Sequence, residues 1–212
     1  MNKKVCRIFA AGDFNGIFIR DPNDFVIAAD KGLLHLEKLG VTPELIVGDF
    51  DSLGFVPSSE NVIRFPAVKD YTDTALAVSE GKKLGYESFV IYGAIGGKRL
   101  EHTIANLQLA AGLANDGYEI FLSDGNTVVT AIHNSKLCFD SKQEGFISVF
   151  CVSGKACGVS LTGLKYELSD AVLTPFEPLG VSNEFIGKPS CIEVSDGTVL
   201  VLWNDSSGVF EN

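Results

Sequence analysis

Short apolar runs alternate with segments of helical periodicity through the first 125 residues. Leu33, Leu36 and Leu39 recur at helical spacing, and Gly40 is a suitable residue to end that helix. Thr72 is a suitable N-cap for another helix, over residues 73–84. A third helix is predicted over 100–115, and strands are predicted over 5–11, 25–29, 45–47, 62–65, 88–92 and 118–122. This alternation is typical of a mostly parallel sheet with helices on both faces.

The pattern changes near residue 125, after which no helical period of useful length appears. Residues 195–198, Ser-Asp-Gly-Thr, predict a hairpin, and the polar segments 162–166 and 180–184 have the composition of turns. Short strands are predicted over 126–132, 136–139, 146–152, 158–161, 171–173, 191–194 and 199–203. We therefore expect an α/β domain over residues 1–130, followed by a small all-β sandwich or barrel over 131–212.

Composition narrows the classes of function. The 212 residues include 27 acidic and 17 basic side chains, which gives a net charge of −10. A nucleic acid would be repelled by that average charge, and no basic stripe relieves it. No apolar run reaches the roughly 20 residues of a membrane span, and no signal-like segment opens the chain. The expectation is a cytoplasmic protein that binds neither nucleic acid nor membrane.

The five cysteines are odd in number and include no C-x-x-C pair. A zinc site or a complete disulfide framework is therefore not expected. Most of them lie in apolar runs, which favours small buried side chains in a reducing compartment.

The segment around Asp49 and Asp51 carries the strongest chemical signal. Both carboxylates follow the apolar run 45–47, and Gly48 lets the backbone turn sharply between strand and acids. Parallel sheets bind ligands at the carboxyl ends of their strands, and oxygen ligands are what Mg²⁺ prefers. Ordinary turn chemistry is the alternative, since Asp, Gly and Ser are common turn residues.

Three further aspartates, Asp30, Asp70 and Asp73, also lie at strand ends or helix starts. On a parallel sheet they would converge with Asp49 and Asp51. So many like charges repel one another unless a divalent cation is shared, so the set predicts Mg²⁺ held for a polyphosphate. Solvated turn aspartates are the alternative, and Asp73 could simply complement the helix dipole.

Cations and glycines that could bind phosphate flank these acids. Lys69 can act as a point charge, and Arg99 can bind phosphate through its planar fork. Gly96 and Gly97 lie in a loop between strand and helix, where backbone N–H groups can approach an anion. The remaining candidates on the phosphate side are Thr72 and His102.

The second half offers fewer candidates. Ser182 and Asn183 could hydrogen-bond a small ligand, although turn chemistry also explains them. Trp203, the only tryptophan, is expected to pack in the core, and stacking on an aromatic ligand is the alternative.

Taken in order, these segments resemble the thiamine pyrophosphokinase family. The similar segments are residues 29–32 (ADKG), 48–52 (GDFDS), 69–73 (KDYTD), 93–102 (GAIGGKRLEH), 163–166 (GLKY) and 181–184 (VSNE). The resemblance implies a nucleotide-binding α/β domain followed by a β-sandwich, in a homodimer with its sites at the interface. It implies Mg²⁺-dependent transfer of diphosphate from ATP to the hydroxyl of thiamine, giving thiamine diphosphate and AMP.

The resemblance also implies roles for individual residues. Lys69 and Arg99 would hold phosphates, and Ser182 with Asn183 would face thiamine. Asp51 or Asp73 would accept the hydroxyl proton. The acidic Mg–phosphate centre would consist of Asp30, Asp49, Asp51, Asp70 and Asp73.

Two positions depart from the family pattern. Lys31 stands where the family usually has a second glycine, and Glu101 stands where it often has aspartate. Two alternatives follow: a regulatory protein that binds nucleotide or thiamine with impaired catalysis, and another Mg²⁺-dependent phosphate-transfer enzyme.

Overall fold

A computed structural model of the chain describes residues 4–58, 60–66 and 70–205. Its three helices are α1 (Gly32–Leu39), α2 (Asp73–Lys83) and α3 (Leu100–Asn115). The strands of the first half are β1 (Cys6–Phe9), β2 (Phe25–Ala29), β3 (Leu45–Gly48), β4 (Val62–Arg64), β5 (Ser88–Tyr92) and β6 (Glu119–Ser123). Those of the second half are β7 (Thr127–His133), β8 (Lys136–Phe139), β9 (Phe146–Cys151), β10 (Ala156–Thr162), β11 (Leu168–Leu173), β12 (Gly180–Glu184), β13 (Ser190–Glu193) and β14 (Thr198–Asn204).

The first six strands form a parallel sheet in the order β6-β5-β1-β2-β3-β4. Leu33 and Leu36 of α1 are buried on one face of this sheet. Residues of α2 and α3, including Ala77 and Leu113, are buried on the other. The predicted parallel sheet with helices on both faces is confirmed, and every predicted helix and strand of this half is present.

The second half is antiparallel, and part of it continues the sheet of the first half. Strands β7, β14, β9 and β12 extend it beyond β6 with antiparallel pairing, which gives ten strands in all. A four-stranded antiparallel sheet, ordered β11-β10-β13-β8, shares one buried cluster with it. The predicted boundary between the two domains, at residues 130 and 131, lies inside β7. The division of the chain into these two domains stays a prediction.

The last part of the chain departs from two turn predictions. Residues 195–198 do not close a hairpin, because β13 belongs to the small sheet whereas β14 belongs to the large one. Residues 180–184 form β12 at the edge of the large sheet. Its polar side chains are compatible with a strand because an edge strand has one neighbour and a solvated side. Trp203 is 7% exposed and packs against Phe139, so its predicted core role is confirmed.

The cysteines fit the expectation only in part. Cys6 and Cys151 are buried thiols, as the apolar pattern predicts. Cys138 and Cys191 instead face each other across β8 and β13 and form a disulfide, with their Cα atoms 4.1 Å apart. The two cysteines are 53 residues apart in the sequence, which gives no indication that they pair. The register between β8 and β13 brings them together. Within the described residues, no helix is both long and apolar enough to cross a bilayer.

Candidate active site

The C-terminal edge of the parallel strands gathers most of the predicted phosphate and metal residues. Asp30 follows β2, Asp49 follows β3, and the glycine loop follows β5. Strands β5 and β3 are three positions apart in the sheet, which corresponds to about 15 Å at the usual strand spacing. The edge is therefore wide enough for an extended polyphosphate, with acids at one end and glycines at the other.

The turn after β3 directs two carboxylates outward by burying the aromatic ring between them. Phe50 is 2% exposed and adopts a left-handed backbone conformation, with φ of 65°. That conformation costs about 1–2 kcal/mol in a residue with a side chain, whereas burying an aromatic ring stabilises by about 1.5–3 kcal/mol. Burial therefore outweighs the backbone strain. Asp49 is left half-buried and Asp51 exposed, and the N–H of Asp51 donates to Asp49 Oδ1 at 3.1 Å.

These two aspartates line an open cleft of about 270 Å³ with residues from the end of β4. Arg64, Phe65 and Pro66 line the same cleft, so a cationic residue lies beside the two acids. Arg64 is not among the residues predicted above. The available signal was a cation at the end of β4, because β4 ends at the same edge as β3.

Asp30 lies against this turn in an unusual environment. Its backbone is left-handed, with φ of 48°, and the residue is 7% exposed. Ser52 Oγ donates to Asp30 Oδ2, while Oδ1 is buried without a hydrogen-bond partner among the described residues. The neighbouring Lys31 has an ordinary helical φ of −61°, so lysine fits this backbone where the family usually has glycine.

The start of α2 carries the next predicted group. Thr72 is the N-cap, and its Oγ1 accepts the N–H of Ala75 at 3.2 Å. Asp73 opens the first turn of the helix, and Asp70 is exposed just before it. Lys69 lies outside the described residues.

The glycine loop is tied to α3 by two side chains. Asn106 Nδ2 donates to the carbonyl of Ala94 at 2.7 Å, and Thr103 Oγ1 donates to the carbonyl of Gly96 at 3.2 Å. Gly96 and Gly97 have φ of 76° and 77°, a region that favours glycine. Asn106 is not among the predicted site residues, although it lies one helical turn from His102 in the sequence.

Arg99 and Glu101 form an exposed ion pair where α3 begins. Arg99 Nε lies 2.7 Å from Glu101 Oε1, and the hydrogen bond from Arg99 is the main cause that lowers the pKa of Glu101. His102 is half-buried in the same turn. Arg99 is the N-cap residue of α3 and follows the glycine loop in sequence, and its predicted phosphate role stays a prediction.

Within the described ranges, no three His, Cys, Asp or Glu side chains converge as a metal site. Mg²⁺ is usually held by one or two carboxylates together with phosphate oxygens, so a complete protein cage is not required. Asp49 and Asp51 in the cleft supply that number, and Asp30 adds a buried oxygen that no described residue contacts through a hydrogen bond. These donors fit Mg²⁺, while the five-aspartate centre stays a prediction.

Ser182 and Asn183 lie on β12, where the pairing with β9 is irregular. Ser182 is exposed and left-handed, with φ of 60°, and its N–H donates to Ser148 Oγ at 3.0 Å. The buried Asn183 instead turns its amide to the backbone of Tyr166. The irregular strand thus presents Ser182 to solvent, whereas Asn183 holds two chain segments together.

The structure does not bring β12 to the acidic edge of its own chain. Strand β12 and strand β3 are eight positions apart in the ten-stranded sheet. At about 4.8 Å for each neighbouring strand, this places Ser182 roughly 40 Å along the sheet from Asp51. Within one chain, the predicted thiamine residues and the predicted metal residues therefore lie far apart.

Two family models match the chain. The model of the thiamin pyrophosphokinase catalytic domain matches residues 19–122. The model of the thiamin pyrophosphokinase vitamin B1 binding domain matches residues 135–199. Together they cover both halves of the molecule.

Individual relatives agree with these matches. Thiamine pyrophosphokinase of Bacillus subtilis (strain 168) is 25% identical over 189 residues, which is 86% of this chain and 88% of that protein. The crystal structure of the Bacillus subtilis enzyme superposes with a TM-score of 0.83 at 23% identity, covering 96% of this chain and 100% of that one. A thiamin pyrophosphokinase family protein from Enterococcus faecalis has a TM-score of 0.76 at 25% identity, with coverages of 97% and 100%. The chain therefore belongs to the thiamin pyrophosphokinase family.

Proposed function

We propose that the protein transfers diphosphate from Mg-ATP to the hydroxyl of thiamine and releases AMP. The observation that carries this proposal is the outward pair Asp49 and Asp51, which lines a cleft with Arg64 in a chain of this family. The acidic edge suits a metal-bound polyphosphate. Thiamine is a cation, so the net charge of −10 also favours its approach.

The reaction makes one bond and breaks one bond. The thiamine hydroxyl oxygen attacks the β-phosphorus of ATP, and the bond from that phosphorus to the oxygen shared with the α-phosphate breaks. AMP leaves with that oxygen, and the hydroxyl proton passes to a carboxylate, for which Asp51 and Asp73 are the candidates. Phosphoryl chemistry of this kind depends mainly on positioning and charge stabilisation.

The residues of the edge divide these tasks. Asp49, Asp51 and Asp30 would hold Mg²⁺, which when bound neutralises charge on the phosphate oxygens. Arg99 and the N–H groups of the glycine loop would bind phosphates. The other candidates for contacts with ATP and its metal ion are Thr72, His102, Asp70 and Lys69.

A homodimer would complete the site. Ser182 lies at the opposite end of the sheet from Asp51, so these two residues of one chain cannot contact the same substrate molecule. A second copy, docked with its β12 edge near the acidic edge of the first, would supply the thiamine contact. The exposed Tyr166 and Val181 beside Ser182 give this edge an apolar surface suited to such contact.

AMP release from Mg-ATP, measured with and without thiamine, tests the proposal when combined with mass detection of the product. Thiamine-dependent AMP together with thiamine diphosphate is the expected result. Nucleotide hydrolysis at the same rate with and without thiamine would favour another phosphate-transfer enzyme. Thiamine binding without turnover would favour the regulatory alternative.

The variant Asp51→Asn gives the residue-level test. Asp51 is exposed, so the fold should persist, while loss of its charge should lower AMP release by about 100-fold or more. Asp140→Asn changes an exposed aspartate in the β half and serves as the matched control. Near wild-type turnover of Asp51→Asn would remove Asp51 from the metal and catalytic assignments.

A further inference from the structure

The hydrogen bond between Ser52 and Asp30 joins two strand-end segments of the acidic edge. Asp30 ends β2, whereas Ser52 belongs to the turn that carries Asp49 and Asp51. The bond uses Oδ2 of Asp30 and leaves Oδ1 without a partner among the described residues. A carboxylate that is 7% exposed is thus held at one oxygen only.

An unpartnered oxygen of this kind is costly in a folded protein. A buried acceptor without a hydrogen bond loses its contact with water and gains nothing in return, and this loss is larger when the acceptor is charged. Asp30 also has a left-handed backbone, and such strain is found at ligand sites, where the surrounding structure enforces it. The unpartnered oxygen and the left-handed backbone are both explained if Oδ1 binds a ligand that enters the site with the substrate.

We propose that Ser52 is a positioning residue, which fixes the Asp30 carboxylate so that Oδ1 is available to the divalent cation that accompanies ATP. This inference rests on the proposed function, because it assumes that a metal–nucleotide complex binds at this edge. The surrounding backbone restricts the position of Asp30. A Cβ atom at Gly48 would lie 3.3 Å from Asp30 Cα, so the turn packs directly against this residue. The Ser52 hydroxyl then fixes the orientation of the carboxylate through its hydrogen bond to Oδ2.

The test measures Mn²⁺ binding by electron paramagnetic resonance, with an ATP analogue whose α–β bridge is methylene. Ser52→Ala should weaken Mn²⁺ binding about tenfold, within the range typical for residues that orient a metal ligand. Ser52→Thr keeps the hydroxyl and should restore the affinity to within about threefold. Ser88→Ala is the matched control, because Ser88 also donates to a carboxylate, that of Glu119, at the amino-terminal ends of β5 and β6 and away from the acidic edge. It should leave Mn²⁺ binding unchanged.

A double variant shows whether Ser52 acts through Asp30. Once Asp30→Asn is present, Ser52→Ala should produce no further loss of Mn²⁺ affinity, whereas independent effects would multiply. The proposal is overturned if Ser52→Ala binds Mn²⁺ like the wild type, if threonine fails to restore binding, if the two effects multiply, or if the wild type holds no Mn²⁺. Thiamine-dependent AMP release by the same wild-type preparation is scored separately. Its absence, with the Mn²⁺ pattern intact, would reject the proposed function and leave the role of Ser52 standing.

Discussion

Asn183 binds Tyr166 through both backbone polar groups of that residue. Its Oδ1 accepts the Tyr166 N–H at 2.9 Å, and its Nδ2 donates to the Tyr166 carbonyl at 2.6 Å. The amide is 3% exposed and joins the 163–166 segment to β12. Two segments that the sequence presents as separate polar islands are therefore one structural unit, with the exposed Tyr166 and Ser182 on its surface.

Replacing Asn183 should destabilise this unit. Asn183→Ala removes both half-buried hydrogen bonds to Tyr166, at about 0.5–1.5 kcal/mol each, so the loss should be about 1–3 kcal/mol. Urea unfolding followed by tryptophan fluorescence measures the change, since Trp203 lies in the core. Asn126→Ala, at an exposed asparagine, should stay within about 0.5 kcal/mol of the wild type. Equal stabilities of the two variants would show that the Tyr166 bonds contribute little.

Mixing two defective chains tests the shared site. Ser182→Ala should raise the KM for thiamine by roughly 5–10-fold through loss of one hydrogen bond, and it should raise the KM for ATP less. Coexpression with excess Asp51→Asn chain creates hybrids in which one site has both native residues. The KM for thiamine of the mixture should then return to the wild-type value. No change on mixing, or a monomer by light scattering, would contradict a site built from two chains.

Gly32 and Gly112 should respond in opposite directions to alanine. A Cβ atom at Gly32 would lie 1.8 Å from the carbonyl oxygen of Phe9, so Gly32→Ala must displace α1 from β1 and should cost about 3 kcal/mol or more. At Gly112, inside α3, the added atom meets nothing within 4 Å, so Gly112→Ala should stabilise by about 1 kcal/mol. Thermal and urea unfolding check both. A stable Gly32→Ala protein would mean that α1 is not held this closely.

Cys6 should make the protein less stable at alkaline pH. Burial first, and then the Asp24 charge, raise the pKa of its thiol from the ordinary 9.0 to about 12. Between these values the unfolded chain loses the thiol proton while the folded chain keeps it, so stability falls as pH rises, by up to about 1.4 kcal/mol per pH unit. Unfolding curves of wild type and Cys6→Ala at pH 8, 9 and 10 measure the slope. The variant should show a smaller decline, and parallel declines would exclude this origin.

The sequence by itself determined the parallel α/β half and most of its candidate site. Buried runs such as β3 and β5 end in Gly48 and Gly93, and parallel pairing places all such ends at one edge. The order of short segments was also enough to indicate the family. These inferences succeed because hydrophobic period and turn chemistry are local properties that the chain carries in consecutive residues.

Only the tertiary structure decided which distant segments meet. It placed β12 at the edge of the large sheet and paired Cys138 with Cys191. It also brought Arg64 to Asp51 and the Ser52 hydroxyl to Asp30. Each of these depends on strand register or on packing between residues far apart in sequence. The hydrophobic pattern of a strand indicates which face is buried but does not specify which strand will lie beside it.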